Sequence, residues 1–261
     1  TASAQWLDGL FGDWHGPEDA RARVRTVVHQ HWDEAYGLHT GFSLRASTDL
    51  PNARQRFRLV VSDEEDLLKT DEESLDRPSN FSAAIRWLPD YVSRVRYTFD
   101  LGLHSTPELY ARAKAYRRWR IGHNALMHFT ETLRYGAQDK GRALSQLDLE
   151  RATGGNSVFR WSNSLLYREA ETEPVGLRWA QDWVVLHRIG DRRSLSWGAG
   201  LEGVQQPEWS LSRKGLFVLY RQSFWRPWVY YELEPHLDRR RDLDWKSNPS
   251  LTVRLEAQFG Q

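Results

Sequence analysis

The chain has 261 residues, with 36 Lys and Arg against 35 Asp and Glu, no Cys, one Met and 13 Trp. Without Cys there is no disulfide framework, thiolate metal site or thiol nucleophile, and the near-neutral balance leaves no global basic footprint for nucleic acid. No apolar run reaches the roughly eighteen residues of a membrane-spanning helix, and no Pro/Gly/Ser-rich linker divides the chain, so two units are expected: an N-terminal segment, 1–20, and a single domain, 21–261.

In the first segment, Trp6, Leu10, Phe11 and Trp14 recur at roughly helical spacing before Gly16-Pro17. Such an amphipathic stretch can plug a lumen, lie on a membrane surface or bind a periplasmic partner. From residue 22 onward the period changes to two. Apolar and polar residues alternate over strands expected near 22–32, 38–48, 53–63, 81–88, 92–104, 109–120, 125–135, 142–152, 157–168, 177–187, 194–204, 210–222, 228–237 and 250–259. Alternation is weakest in the first two and in 81–88, so a twelve-strand variant with 22–48 peripheral is the alternative. Turn chemistry separates the strands: Asp49-Leu50-Pro51-Asn52, Ile121-Gly122-His123-Asn124, Thr153-Gly154-Gly155-Asn156 and Ile189-Gly190-Asp191 are each rich in Gly, Pro, Asn or Asp. Every second connection can be a tight turn, and those between are longer on average, notably 64–80 and 238–249.

Fourteen strands of about eleven residues amount to roughly 60% strand, and the strands are about twice the usual length. Both features fit a sheet closed in a bilayer, where a tilted strand needs about 9–11 residues and every backbone group must be paired. A soluble barrel shows the same alternation with the faces reversed, but fourteen long strands around a dry core would enclose more volume than these apolar side chains, many of them Ala, can fill. A two-sheet sandwich needs Greek-key crossovers, for which the connections are too short. Trp32, Trp87, Trp119, Trp161, Trp179, Trp209, Trp225, Trp228, Tyr36, Tyr91, Tyr135 and Tyr167 gather near strand ends, as interfacial belts do.

The last strand carries the most specific feature. Leu251, Val253, Leu255, Ala257 and Phe259 share one face against Thr252, Arg254, Glu256 and Gln258. With this pattern the chain resembles the integral β-barrels of Gram-negative outer membranes, departing from them in that Gly260 and Gln261 follow the terminal aromatic. The resemblance implies an all-β, closed antiparallel up-and-down transmembrane barrel of about fourteen strands, with both termini periplasmic. It also implies surroundings of outer-membrane lipid and lipopolysaccharide, and an insertion signal for barrel-assembly machinery at Leu255, Ala257 and Phe259. The absence of Cys fits export through the periplasm.

With the apolar face outward, the lumen receives Arg23, Arg25, Arg45, Arg56, Arg58, Arg86, Arg94, Arg96, Arg112, Lys114, Arg118 and Arg120 from the first six strands, opposed by Asp100. Strands seven to fourteen contribute Arg134, Arg160, Arg168, Arg178 and Arg254 against Asp148, Glu150, Asp182, Glu202, Glu232, Glu234 and Glu256. This charge split predicts a channel for small anionic or zwitterionic solutes across a transverse field. Its constriction is expected where Arg94, Arg96, Arg112 and Lys114, brought side by side as two like-charged pairs by a hairpin at 105–108 between strands five and six, face Asp182, Glu232 and Glu234, with Arg118 and Glu202 completing the selectivity residues of the lumen. The rival is a closed barrel whose interior ion pairs leave no path and which anchors another envelope component. Glu131 and Gln181 fall on the lipid face, which points to a local bulge or a covering partner.

Enzyme chemistry has little support. Gly-x-Ser-x-Gly and His-Glu-x-x-His are both absent. His128 faces inward with Ser162 and Ser164 two strands away, a spacing that does not by itself assemble a nucleophile and base. A five-residue connection at 33–37 pairs His31 with His39 and leaves His29 two positions along the same face, within metal-ligand reach if the register holds, although a satisfied polar cluster is the simpler reading. No catalytic residue, metal or cofactor is assigned.

Overall fold

The computed structural model describes residues 22–49, 57–63, 81–89, 95–104, 108–137, 140–169, 176–206 and 208–259. The segment 1–20, the loop 64–80, Arg56, Tyr91 and Arg94 lie outside them. Fourteen strands follow one another: β1 (Ala22–Asp33), β2 (Gly37–Asp49), β3 (Phe57–Asp63), β4 (Phe81–Trp87), β5 (Val95–His104), β6 (Leu109–Ile121), β7 (Ala125–Gly136), β8 (Lys140–Gly154), β9 (Ser157–Arg168), β10 (Leu177–Gly190), β11 (Arg193–Val204), β12 (Ser210–Ser223), β13 (Val229–Arg240) and β14 (Ser247–Phe259). Each pairs antiparallel with its neighbours in sequence, and β14 returns to β1 to close the barrel.

Closure decides the strand count. β1 is hydrogen-bonded on both sides, running from Val24↔Phe259 to Asp33↔Ser250 against β14 and from Ala22↔Thr48 to Asp33↔Gly37 against β2. The twelve-strand alternative therefore falls: the first two strands belong to the wall. Strands β13 and β14 also run closer together than the pattern suggests, ending at Arg240 and restarting at Ser247 around a single 3-10 turn, Arg241–Leu243. The charges at 238–240 did not end the strand, because Asp238 and Arg240 point into the polar lumen, where alternation by charge is invisible to a hydrophobic pattern.

The faces are reversed relative to a soluble barrel. Along β14, Leu251, Val253, Leu255 and Phe259 are 40–47% exposed, whereas Thr252 and Glu256 are 4% and 1% exposed. Phe99 and Leu101 on β5 are likewise exposed and Asp100 between them is buried. A surface of Leu, Val and Phe around a charged interior is stable only where hydrocarbon replaces water. Aromatic side chains ring both ends. Trp87 stacks on Phe99 at 5.4 Å and Trp228 lies 4.5 Å from Phe259 toward the end where β1 begins and β14 finishes, the chain-end rim, while Trp32, Tyr135 and Trp209 mark the other.

Candidate functional site

Pairing register, with the two-residue alternation of burial, fixes which side chains enter the lumen. On β1–β6 these include Arg23, Arg25, Arg45, Arg58, Arg86, Arg96, Arg112, Lys114, Arg118 and Arg120. Seven strands round from β5 and β6, strands β12 and β13 carry Arg221, Glu232, Glu234 and Asp238 inward, and β14 adds Arg254 and Glu256.

Much of this charge is tied in ladders that cross strands. Asp100 accepts two hydrogen bonds from Arg86 (2.7 and 3.0 Å) and two from Arg112 (2.9 and 2.5 Å), so β4, β5 and β6 share one carboxylate. Glu150 on β8 accepts from Arg160 and lies 3.6 Å from His128, whose other ring nitrogen meets the Tyr116 hydroxyl at 2.7 Å. Arg213 on β12 bridges Glu202 (3.1 Å) and Asp238 (3.0 Å) on its two flanking strands. At the seam, Glu256 receives Arg25 and Arg221, each at 3.0 Å, while Arg221 also binds Glu232, and Arg254 binds Glu234. Pairs removed from water repay their desolvation only when such additional hydrogen bonds saturate them.

Room for these side chains comes from glycine. A Cβ at Gly41 would fall 2.2 Å from the ring of His29, one at Gly102 would lie 2.6 Å from the Tyr110 ring and hydroxyl, and one at Gly215 would strike Asp238. Each glycine lets a cross-strand neighbour lie flat along the wall rather than project into the lumen.

The sequence-derived constriction is rearranged by register. Arg96 sits opposite Tyr116 and Lys114 opposite Thr98, while Arg112 faces Asp100. The like-charged pairs expected across β5 and β6 are therefore not cross-strand partners, and Arg94 lies outside the described residues. Arg118 stands opposite His128 and, with Arg120, is exposed toward the chain-end rim. Asp182 is inward between Ser162 and Gly200. Glu202, Glu232 and Glu234 are all bonded to Arg. Leu255, Ala257 and Phe259 face outward with Leu251 and Val253.

Several lumen residues escaped the pattern. Arg213 and Arg221 enter from β12, where Phe217 and Leu219 also face inward, so apolar content marks neither face of that strand. Arg142, Arg188, Asp238 and Arg240 were hidden near strand ends, although counting every second residue from a neighbouring inward position would have found them. His31 and His39 are paired as expected, although the ladder continues to Asp33↔Gly37 and leaves a turn of only 34–36. His31 bonds Thr252 Oγ1 at 2.8 Å, His39 approaches the Tyr36 carbonyl at 3.2 Å, and His29 lies over Gly41. Among the described residues no cluster of three or more His, Asp or Glu side chains is arranged to hold a metal.

No family model and no curated protein matches the sequence. Solved structures match the fold. A loop L8 deletion variant of OmpT, an outer membrane protein of Vibrio cholerae, aligns with a TM-score of 0.58 and 8% identity over 92% of this chain and 99% of that one. A bacterial polysaccharide outer membrane secretin aligns with a TM-score of 0.54 and 12% identity over 91% and 98%. OmpT expressed in the outer membrane gives 0.54 and 8% over 92% and 97%. With its lipid-type exterior, closed ladder and these likenesses, the chain has the fold of an integral β-barrel of bacterial outer membranes.

Proposed function

We propose that the barrel is a non-enzymatic channel for small anionic or zwitterionic solutes, inserted in the bacterial outer membrane with both termini periplasmic. One observation carries the reading: inward cations crowd β1–β6, and Arg118 and Arg120 are exposed where that wall reaches the chain-end rim, whereas the carboxylates seven strands away are occupied by Arg221 and Arg254. Exposed guanidinium groups at the rim of one wall, facing a neutralised wall, draw anions toward that side of the lumen. The insertion at the opposite rim of longer connections, such as 64–80 and 169–176, supports the orientation, since periplasmic turns in such barrels are short.

Planar-bilayer recordings in a salt gradient test the proposal. A reversal potential favouring the anion supports it, and cation selectivity refutes it. Silence at all voltages favours a second reading, a closed barrel that anchors an envelope component. That reading draws on the near-complete burial of Asp238 and Glu256, at 2% and 1% exposure, within interior ion-pair ladders.

A further inference from the structure

The lipid-facing wall is not apolar throughout. Glu131 on β7 is flanked outward by Phe129 and Leu133, and Gln181 on β10 by Trp179 and Trp183. No bulge turns either away: Ala115↔Glu131↔Ser145 and Asn163↔Gln181↔Leu201 are continuous ladder positions. The local irregularities of β10 and β8 lie far off, at Arg188/Gly190 and Ala152/Gly154. Ser145 donates to Glu131 at 2.6 Å. Asn163 is diagonal to Ser145, because Ser145 pairs Leu165 and Asn163 pairs Leu147. The four polar side chains thus form one patch across β7–β10, near the middle of the strands.

In hydrocarbon these groups have no water to bond. The Asn163 Nδ2 donor is covered by its surroundings and finds no acceptor, and the same is true of the outward Trp161 and Trp179 indole N–H groups beside it. Next to Glu131, β6 presents Ala111, Ala113 and Ala115, and β8 adds Ala143, so the wall there is flat enough for another surface to come close. The patch holds a carboxylate acceptor at one edge, Glu131 on β7, and an amide donor at the other, Gln181 on β10, which makes it complementary to itself under a two-fold rotation.

We propose that this face is the contact between two copies of the chain in the membrane, with Glu131 of one copy taking a hydrogen bond from the Gln181 amide of the other. The inference rests on membrane insertion alone and stands whether or not the lumen conducts. Because the protein lacks Cys, single-cysteine variants of the full chain report proximity cleanly. In phosphatidylethanolamine/phosphatidylglycerol vesicles, oxidation of Asn163→Cys should convert most of the folded protein to a species of twice the mass. Leu101→Cys, on the outward face of β5, should remain a single chain. A combined Glu131→Leu, Asn163→Leu, Gln181→Leu variant should stay folded by heat-modifiable migration and sediment at half the mass of the parent in mild detergent. Equal cross-linking at both cysteine positions, none at position 163, or an unchanged mass in the triple variant would overturn the proposal; the cysteine comparison decides even if the triple variant does not insert.

Discussion

Asp100→Asn tests whether the interior ladders stabilise the wall or merely decorate it. The carboxylate is 2% exposed and Arg112 is 7% exposed, so neither can exchange its partner for bulk water, whereas Arg86 is 28% exposed and can relax toward the lumen. Removing one member of a buried pair costs on the order of 3–5 kcal/mol. Partial exposure of Arg86 and the acceptor kept by the amide oxygen reduce this, and about 2–3 kcal/mol remains. Urea unfolding from phosphatidylcholine vesicles, followed by the emission of the 13 Trp, should show a lower midpoint with unchanged slope. Adding Arg112→Leu should restore part of the loss, because it removes the stranded charge. A shift under about 0.5 kcal/mol, as for exposed pairs, would show that lumen water reaches Arg112 and would refute the burial argument.

Other expectations follow from particular contacts. Arg118→Glu with Arg120→Glu should abolish or reverse anion preference in bilayer recordings without loss of folded protein, since both side chains are exposed rather than held in the ladders. Gly102→Ala should cost roughly 1–3 kcal/mol in the same urea assay, by forcing Tyr110 off the wall and crowding the Ala83 carbonyl 2.8 Å away. Phe259→Ala, which deletes the partner of Trp228, should lower insertion by purified assembly machinery more than spontaneous folding into detergent. In the turn after β13, burial raises the Asp242 carboxyl pKa, but hydrogen bonds from Arg240 and Tyr36 with the charge of Arg240 outweigh it and hold the group below its ordinary value. The bond to Tyr36 (2.8 Å) should therefore persist above about pH 4, the usual carboxylate range, and weaken as pH falls through the depressed pKa. Amide exchange in 241–246 should rise there, and Asp242→Asn should abolish the dependence.

Strands were legible wherever one face was uniformly apolar. β14 and β5 declare their parity in unbroken apolar faces, Leu251 to Phe259 and Val95 to Leu103, and turns rich in Gly and Asn set the hairpins between β6 and β7 and between β8 and β9. Lumen chemistry was legible only as composition. Alternation assigns Arg112 to the interior but not the neighbour it meets, because opposing residues depend on a register that a one-residue change in the 105–108 connection would shift. Asp100 instead of Arg96 became its companion, and a repulsive patch became a clamp. β12 concealed two guanidinium groups because Phe217 and Leu219 share their face, packed beside His236 (5.5 Å from Phe217) and over Gly198. The polar outer patch at Glu131 and Gln181 was visible as an exception, yet its extent through Ser145 and Asn163 needed the order of the strands.

Thirteen of the ladders join neighbours in sequence; the β1–β14 ladder joins ends more than two hundred residues apart, with Arg25 and Glu256 separated by 231 positions. Ordering it costs more loop-closure entropy than any hairpin, so it should zip last. Until then both terminal strands are open edges with unpaired N–H and C=O groups, which hydrocarbon does not tolerate. Each barrel therefore carries a built-in checkpoint: a chain that has made every hairpin but not this seam remains a pleated sheet competent to pair with another strand. Loss of β14 would arrest the protein there, as an aggregating template rather than a smaller pore.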